Sequence, residues 1–187
     1  DIWNVAAHPK DPALFATATE GSIIRVWNAD GREMARATSV GFPCRSVAYS
    51  MDGSHLAVGG KFGQLRVLNA LTLQPLVLFK DCKSAVDELK YSPNNRILAA
   101  GSHDLHIDIY DTGFRKNESR DKQSKQGWPA VNTAWEKDHG GKGEYKRLHR
   151  CVGHSASVCH LDFSLPDFNP PLPELRGKTY LMSNRNG

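Results

Sequence analysis

The sequence has no apolar run approaching the roughly 18 residues a membrane-spanning helix requires, and no secretory leader opens it. Neither a membrane-spanning chain nor a secreted precursor is expected. Cysteine is scarce. Cys44, Cys82, Cys151 and Cys159 are too few and too scattered for a disulfide scaffold, and they read as reduced thiols of a cytosolic protein. The sequon Asn117-Glu118-Ser119 would matter only in a secreted chain. Amphipathic helical stretches of roughly 10–15 residues between apolar runs are also missing, which argues against a parallel α/β fold. What is present suits a globular protein: 187 residues, 40% hydrophobic and 24% charged, with 24 Lys+Arg against 20 Asp+Glu for a net +4.

Internal repetition organises the chain. Val5-Ala6-Ala7-His8-Pro9, Val47-Ala48-Tyr49-Ser50-Met51 and Leu89-Lys90-Tyr91-Ser92-Pro93 open three similar units. Each continues with a small apolar run: Leu14 to Ala18, Leu56 to Gly60, and Ile97 to Ser102. Each closes on a third run ending Val26-Trp27-Asn28, Val67-Leu68-Asn69 or Ile109-Tyr110-Asp111. His8 to Ser50 and Ser50 to Ser92 are both 42 positions. A period of roughly 40–45 with several short strands per unit is the signature of a WD40 β-propeller.

The runs behave as strands of such blades. Leu98-Ala99-Ala100-Gly101 is short and continuously apolar, as a strand covered on both faces should be. Ile107-Asp108-Ile109-Tyr110 alternates and is expected to be half-exposed. Asp52-Gly53, Pro93-Asn94-Asn95 and His103-Asp104 supply the turns. Trp27, Asp104, Tyr110, Gly153 and His154 are assigned to structural positions of the repeat; an Asp in the tight turn of Asp104 can pair with a blade-opening histidine, although the third blade lacks the Gly-His opener.

A fourth unit opens at Gly153-His154, but Ser92 to Ser164 is 72 positions, which exceeds the period and marks an insertion. The expected fold is an all-β WD40 propeller fragment of about four blades. Three blades occupy 1–113, a basic and flexible insertion 114–148, and an incomplete fourth blade with a Pro-rich insertion 149–187. Four units are few for a propeller, and an open ring leaves strand edges unpaired. The chain is therefore expected to be part of a longer propeller and to pack against the rest of it.

Ala100-Gly101-Ser102-His103-Asp104 with Ile107 to Tyr110, and Arg150 to Ser155 with His160-Leu161-Asp162-Phe163-Ser164 and Tyr180 to Asn184, resemble the echinoderm microtubule-associated protein-like (EML) family. Ile2 to Pro9 and Arg45 to Ser50 are similar to it as well. The stretch from Cys151 to Ser164 resembles the second of that family's two propellers. The resemblance implies binding to tubulin and microtubules in the cytoplasm, spindle or ciliary axoneme; no cofactor is expected. The 114–148 and Pro166–Pro173 stretches depart from it, being longer than the short turns it implies.

Candidate chemistry is thin. Ser102-His103-Asp104 holds the residue types of a hydrolytic triad, but neighbours on a strand point to opposite faces, so a structural role is expected. Cys151, His154, Cys159 and His160 do not match zinc-ligand spacing. Gly59-Gly60-Lys61-Phe62-Gly63 and Gly140-Gly141-Lys142-Gly143 do not fit the phosphate-loop pattern. No enzyme, metal site or nucleotide site is expected.

The 114–148 stretch carries nine Lys/Arg and five Asp/Glu, so the whole net charge resides there. It is either a solvated segment or a docking arm that orders on an acidic partner. In the second reading Arg115, Lys116, Arg120, Lys122 and Lys125 make the electrostatic contact, with Trp128 and Trp135 as anchors. The leading functional expectation is a non-catalytic module for tubulin, microtubules or axonemal proteins. The alternative is a WD40 scaffold subunit of an RNA-processing or ubiquitin-ligase complex. Membranes and nucleic acid are not expected partners.

Overall fold

A computed structural model describes residues 1–114, 145–164 and 181–185 of the chain. Among the described residues the regular elements are all strands. The first sheet runs β1 (Ile2–Ala7), β2 (Leu14–Thr19), β3 (Ile23–Asn28) and β4 (Glu33–Ser39), paired in chain order. The second follows the same plan with β5 (Cys44–Tyr49), β6 (His55–Gly60), β7 (Leu65–Asn69) and β8 (Pro75–Phe79). The third comprises β9 (Val86–Tyr91), β10 (Ile97–Ser102), β11 (Ile107–Asp111) and β12 (Lys146–Cys151), and the fourth pairs β13 (Val158–Phe163) with β14 (Leu181–Arg185). All pairings are antiparallel. Strand β12 straddles the 148/149 division drawn from the sequence.

The repeat is visible in the hydrogen-bond register. Ala6 pairs with Ala16, Ala48 with Ala57 and Lys90 with Ala99, and those three alanines pair onward with Val26, Val67 and Ile109. The closing residues Trp27, Leu68 and Tyr110 face Phe15, Leu56 and Leu98. A step of 41 or 42 residues thus returns these residues to equivalent places on the next sheet.

Stacking follows from strand alternation, since successive side chains leave a strand on opposite faces. Leu56, Val58 and Leu68 of the second sheet join Ala16, Val26 and Val47 in one cluster. Their neighbours Ala57 and Val67 face the other way, into a cluster with Val86, Leu89, Leu98 and Tyr110. Ala99, Ile107, Val158 and Leu161 fill the gap between the third and fourth sheets. Burying each Leu or Val stabilises the stack by about 1.5–3 kcal/mol. The sheets approach closely because small residues permit it: a Cβ on Gly59 would run into Ser46 Oγ and the Val86 backbone.

One strand departs from its expected exposure. Strand β11 is not half-exposed: Ile107, Asp108 and Tyr110 are buried and Ile109 is half-buried. The polar residue of the alternation is itself covered, because β12 completes the sheet and brings Arg150 directly opposite Asp108.

Candidate functional site at the heads of the inner strands

The first strands of the four sheets, β1, β5, β9 and β13, lie side by side. Each pairs with a neighbour in its own sheet, and in each the ladder skips one residue near the start. The register shifts fall between Ile2 and Asn4, between Cys44 and Ser46, opposite Gly101 and Ser102 where Asp87 is passed over, and between Val158 and His160. The skipped residues are Trp3, Arg45, Asp87 and Cys159. Such a bulge bends the strand and re-aims its side chain.

The four bulged residues converge. Together with His103 from the β10–β11 turn they line an open recess of about 230 Å³. The Arg45 guanidinium lies over the Trp3 ring, 3.9 Å from its centroid. Arg45 Nε donates to Asp87 Oδ1 at 3.1 Å, and Nη2 forms an ion pair with the same oxygen at 3.0 Å. His103 Nδ1 and Asp87 Oδ2 are 3.1 Å apart, so the imidazole proton sits on Nδ1. The Asp87 side chain is only 12% exposed, whereas that of His103 is 58% exposed and Trp3 is 46% exposed. A cation–π contact of this kind contributes about 0.5–1 kcal/mol at an exposed site.

One residue further along the inner strands, the side chains tie sheet to sheet. Ser46 Oγ donates to Val86 O at 2.7 Å, and Glu88 Oε2 lies 3.9 Å from His160 Nδ1. Burial, the largest influence on it, pushes the Glu88 carboxyl up from the usual range, with Lys90 and His160 opposing the rise.

The residues singled out from sequence take separate places. Trp27 Nε1 donates to Thr17 Oγ1 at 3.0 Å, and the indole stacks on Phe15. Tyr110 donates its hydroxyl proton to Asp81 Oδ2 at 3.2 Å. Gly153 holds a left-handed φ of 122°, and His154 Nε2 meets Ser183 Oγ at 3.0 Å. Asp104 does not face an opening histidine. Its carboxylate accepts from Lys83 N at 2.7 Å and lies 3.1 Å from His106 Nδ1. The reason lies in the repeat: the position of His154, 72 residues earlier, holds Cys82. Arg115, Lys116, Arg120, Lys122, Lys125, Trp128 and Trp135 lie outside the described residues.

Ser102, His103 and Asp104 form no relay. Asp104 N donates to Ser102 Oγ at 3.2 Å, while His103 turns away to Asp87. Among the described residues no three His, Cys, Asp or Glu side chains are grouped to hold a metal ion. Burial raises the Cys82 thiol far above its ordinary range, with the Asp108 carboxylate adding to it, so this sulfur stays protonated. The recess therefore offers charge, an aromatic face and hydrogen-bond donors, which is recognition chemistry.

The sequence reading missed this recess. Its signal was a column of the repeat, 3, 45, 87 and 159, in which Trp, Arg, Asp and Cys stand beside apolar columns such as Val5, Val47, Leu89 and Leu161.

Residues 2–167 match the family described as the echinoderm microtubule-associated protein second β-propeller. The chain is 26% identical over 164 residues to echinoderm microtubule-associated protein-like 2 of Mus musculus, covering 88% of this chain and 21% of that protein. It is 27% identical over 165 residues to echinoderm microtubule-associated protein-like 1 of Rattus norvegicus, covering 88% and 17%. Echinoderm microtubule-associated protein-like 4 of Xenopus laevis is 26% identical over 185 residues, covering 98% and 16%. The chain thus spans about a fifth of the length of these relatives or less. Among solved structures, U3-55K and the RRP9 WD40 repeats each align with a TM-score of 0.64 at 17% identity, over 86% of this chain and 42% and 41% of theirs.

Proposed function

Because the chain belongs to the echinoderm microtubule-associated protein second β-propeller family, we propose that it is a non-catalytic interaction module whose partner is tubulin or a microtubule-borne assembly at the cytoskeleton. The observation that carries the reading is the bulged column. Four successive sheets, built to one register, each present a different side chain at one recess. Trp and Arg are the residues most often found dominating interface energy, and a site assembled from several strands suits a protein partner. The microtubule component of the proposal is supported by the names of the relatives. Within that proposal, axonemal microtubules are the narrower partner.

The basic residues Arg115, Lys116, Arg120, Lys122 and Lys125 add an electrostatic component, with Trp128 and Trp135 as apolar anchors. The test is co-sedimentation of the protein with taxol-stabilised microtubules, together with capture of partners from lysate. Saturable co-sedimentation and enrichment of tubulin support the reading. Enrichment of RNA or ubiquitin-ligase subunits without tubulin replaces it with a scaffold role in another complex.

A further inference from the structure

We propose that the recess binds an extended acidic peptide, seating one of its carboxylates against Arg45 and the Trp3 indole N–H. This rests on the reading of the chain as a protein-interaction module and names the chemistry of its partner.

The balance of donors and acceptors points to that ligand. Asp87 is the carboxylate lining the recess, and both its oxygens are occupied, Oδ1 by Arg45 and Oδ2 by His103. Arg45 uses Nε and Nη2 on Asp87, and its Nη1 has no hydrogen-bond partner among the described residues. Trp3 Nε1 likewise has none among the described residues, on a side chain that stands out to solvent. His103 is held on Asp87 Oδ2 through Nδ1 and forms one wall of the recess. Unused hydrogen-bond donors therefore surround an acceptor that is already satisfied.

Size and surroundings narrow the occupant. A volume of about 230 Å³ lies below the roughly 300–1,000 Å³ typical of small-molecule sites, so it suits one side chain of a longer ligand. The same end of the sheets carries the β6–β7 turn with Phe62, 65% exposed, and the β8–β9 connection with Lys83, whose N–H is fixed on Asp104. An acidic segment with an apolar residue would meet complementary groups on both.

Cys159 provides the readout, because it lines the recess while Cys151 lies exposed elsewhere. The purified protein is treated with iodoacetamide alone, with a Glu-rich peptide, with its Gln counterpart, or with a single-stranded oligonucleotide. Modification of the two cysteines is followed by mass spectrometry, and peptide affinity by fluorescence anisotropy. The Glu peptide is expected to slow Cys159 modification and leave Cys151 unchanged. It should bind about tenfold more tightly than the Gln peptide, the ratio that one charge-assisted hydrogen bond supplies. Arg45→Gln and the exposed-site variant Trp3→Leu should each weaken the Glu peptide about tenfold. Equal binding of the two peptides, no protection of Cys159, or protection by the oligonucleotide alone overturns the proposal. Trp3→Leu stands on an exposed side chain, so unchanged affinity there overturns it even if Arg45→Gln fails to fold. Microtubule co-sedimentation of the same samples separates the two readings. Co-sedimentation without Cys159 protection removes the recess and keeps the tubulin reading, whereas protection without co-sedimentation does the reverse.

Discussion

Arg150 grips Asp108 across the β11–β12 ladder, with Nε 2.8 Å from Oδ1 and Nη2 2.7 Å from Oδ2. The Asp108 carboxylate is fully buried, and its Oδ2 also lies 3.2 Å from the Cys82 sulfur. Arg150 Nη2 donates in addition to Asp81 O at 2.7 Å, so one guanidinium joins the outer strand of the third sheet to the segment that enters it. The side chain is a clamp on a buried charge. Its worth is seen when it is removed, because Asp108 then keeps only the Cys82 thiol at 3.2 Å and the Arg147 guanidinium at 4.0 Å.

Replacing Arg150 by Ala should therefore lower unfolding stability by up to about 3 kcal/mol, the low end for breaking a buried pair because Arg147 and Cys82 remain, read from urea denaturation followed by circular dichroism. Pairing Arg150→Ala with Asp108→Asn should recover part of that loss, since the buried charge goes with it. A single variant as stable as the wild type would contradict the clamp.

Tyr145 makes a second tie, between sheets. Its hydroxyl is 2.9 Å from His55 Nδ1 of the second sheet and 2.9 Å from Tyr91 OH of the third. Tyr145→Phe keeps the ring in place and removes only the bridging oxygen. The expected loss is about 1–3 kcal/mol, the cost of leaving buried polar groups unsatisfied. Thermal denaturation of the two proteins side by side checks it.

The same tie makes stability depend on pH. Burial lowers the His55 pKa from its ordinary 6.5, with the nearby Asp52 carboxylate partly opposing the shift. The unfolded chain then binds a proton that the folded chain resists, so this contribution is complete above about 6.5 and declines as the pH falls below it. Denaturation midpoints should drop between neutral and mildly acidic pH, and His55→Gln should flatten that part of the profile. A His55→Gln profile as steep as the wild type would exclude His55 as the source.

Reversing the charge of Arg115, Lys116, Arg120, Lys122 and Lys125 to Glu tests the electrostatic component of microtubule binding. Co-sedimentation affinity should fall by about tenfold or more at low salt, and its dependence on ionic strength should flatten. Unchanged binding would remove these residues from the contact.

Much of the architecture was legible because it repeats. Ser50 and Ser92, or Trp27, Leu68 and Tyr110, mark the period in one dimension, and stacking converts that period into one register. Less legible were features that depend on what lies opposite. Strand β11 reads as half-exposed because nothing local reveals that Arg150, 42 residues later, covers Asp108. The missing opening histidine of the third blade was legible, but not that Lys83 N–H and His106 would take its place at Asp104. The recess stayed hidden for a related reason. A bulge leaves no mark on the hydrophobic alternation, and Trp3, Arg45, Asp87 and Cys159 acquire common purpose only once four sheets stand together.

A residue that the ladder skips takes no direct part in the pairing of its sheet. Its identity can change without altering the register, so Trp, Arg, Asp and Cys can occupy one position of the same scaffold. The fold thereby sets apart a short row of interchangeable letters from the text that holds it upright. Duplicated units of this kind can diverge in what they recognise while remaining alike in how they stand.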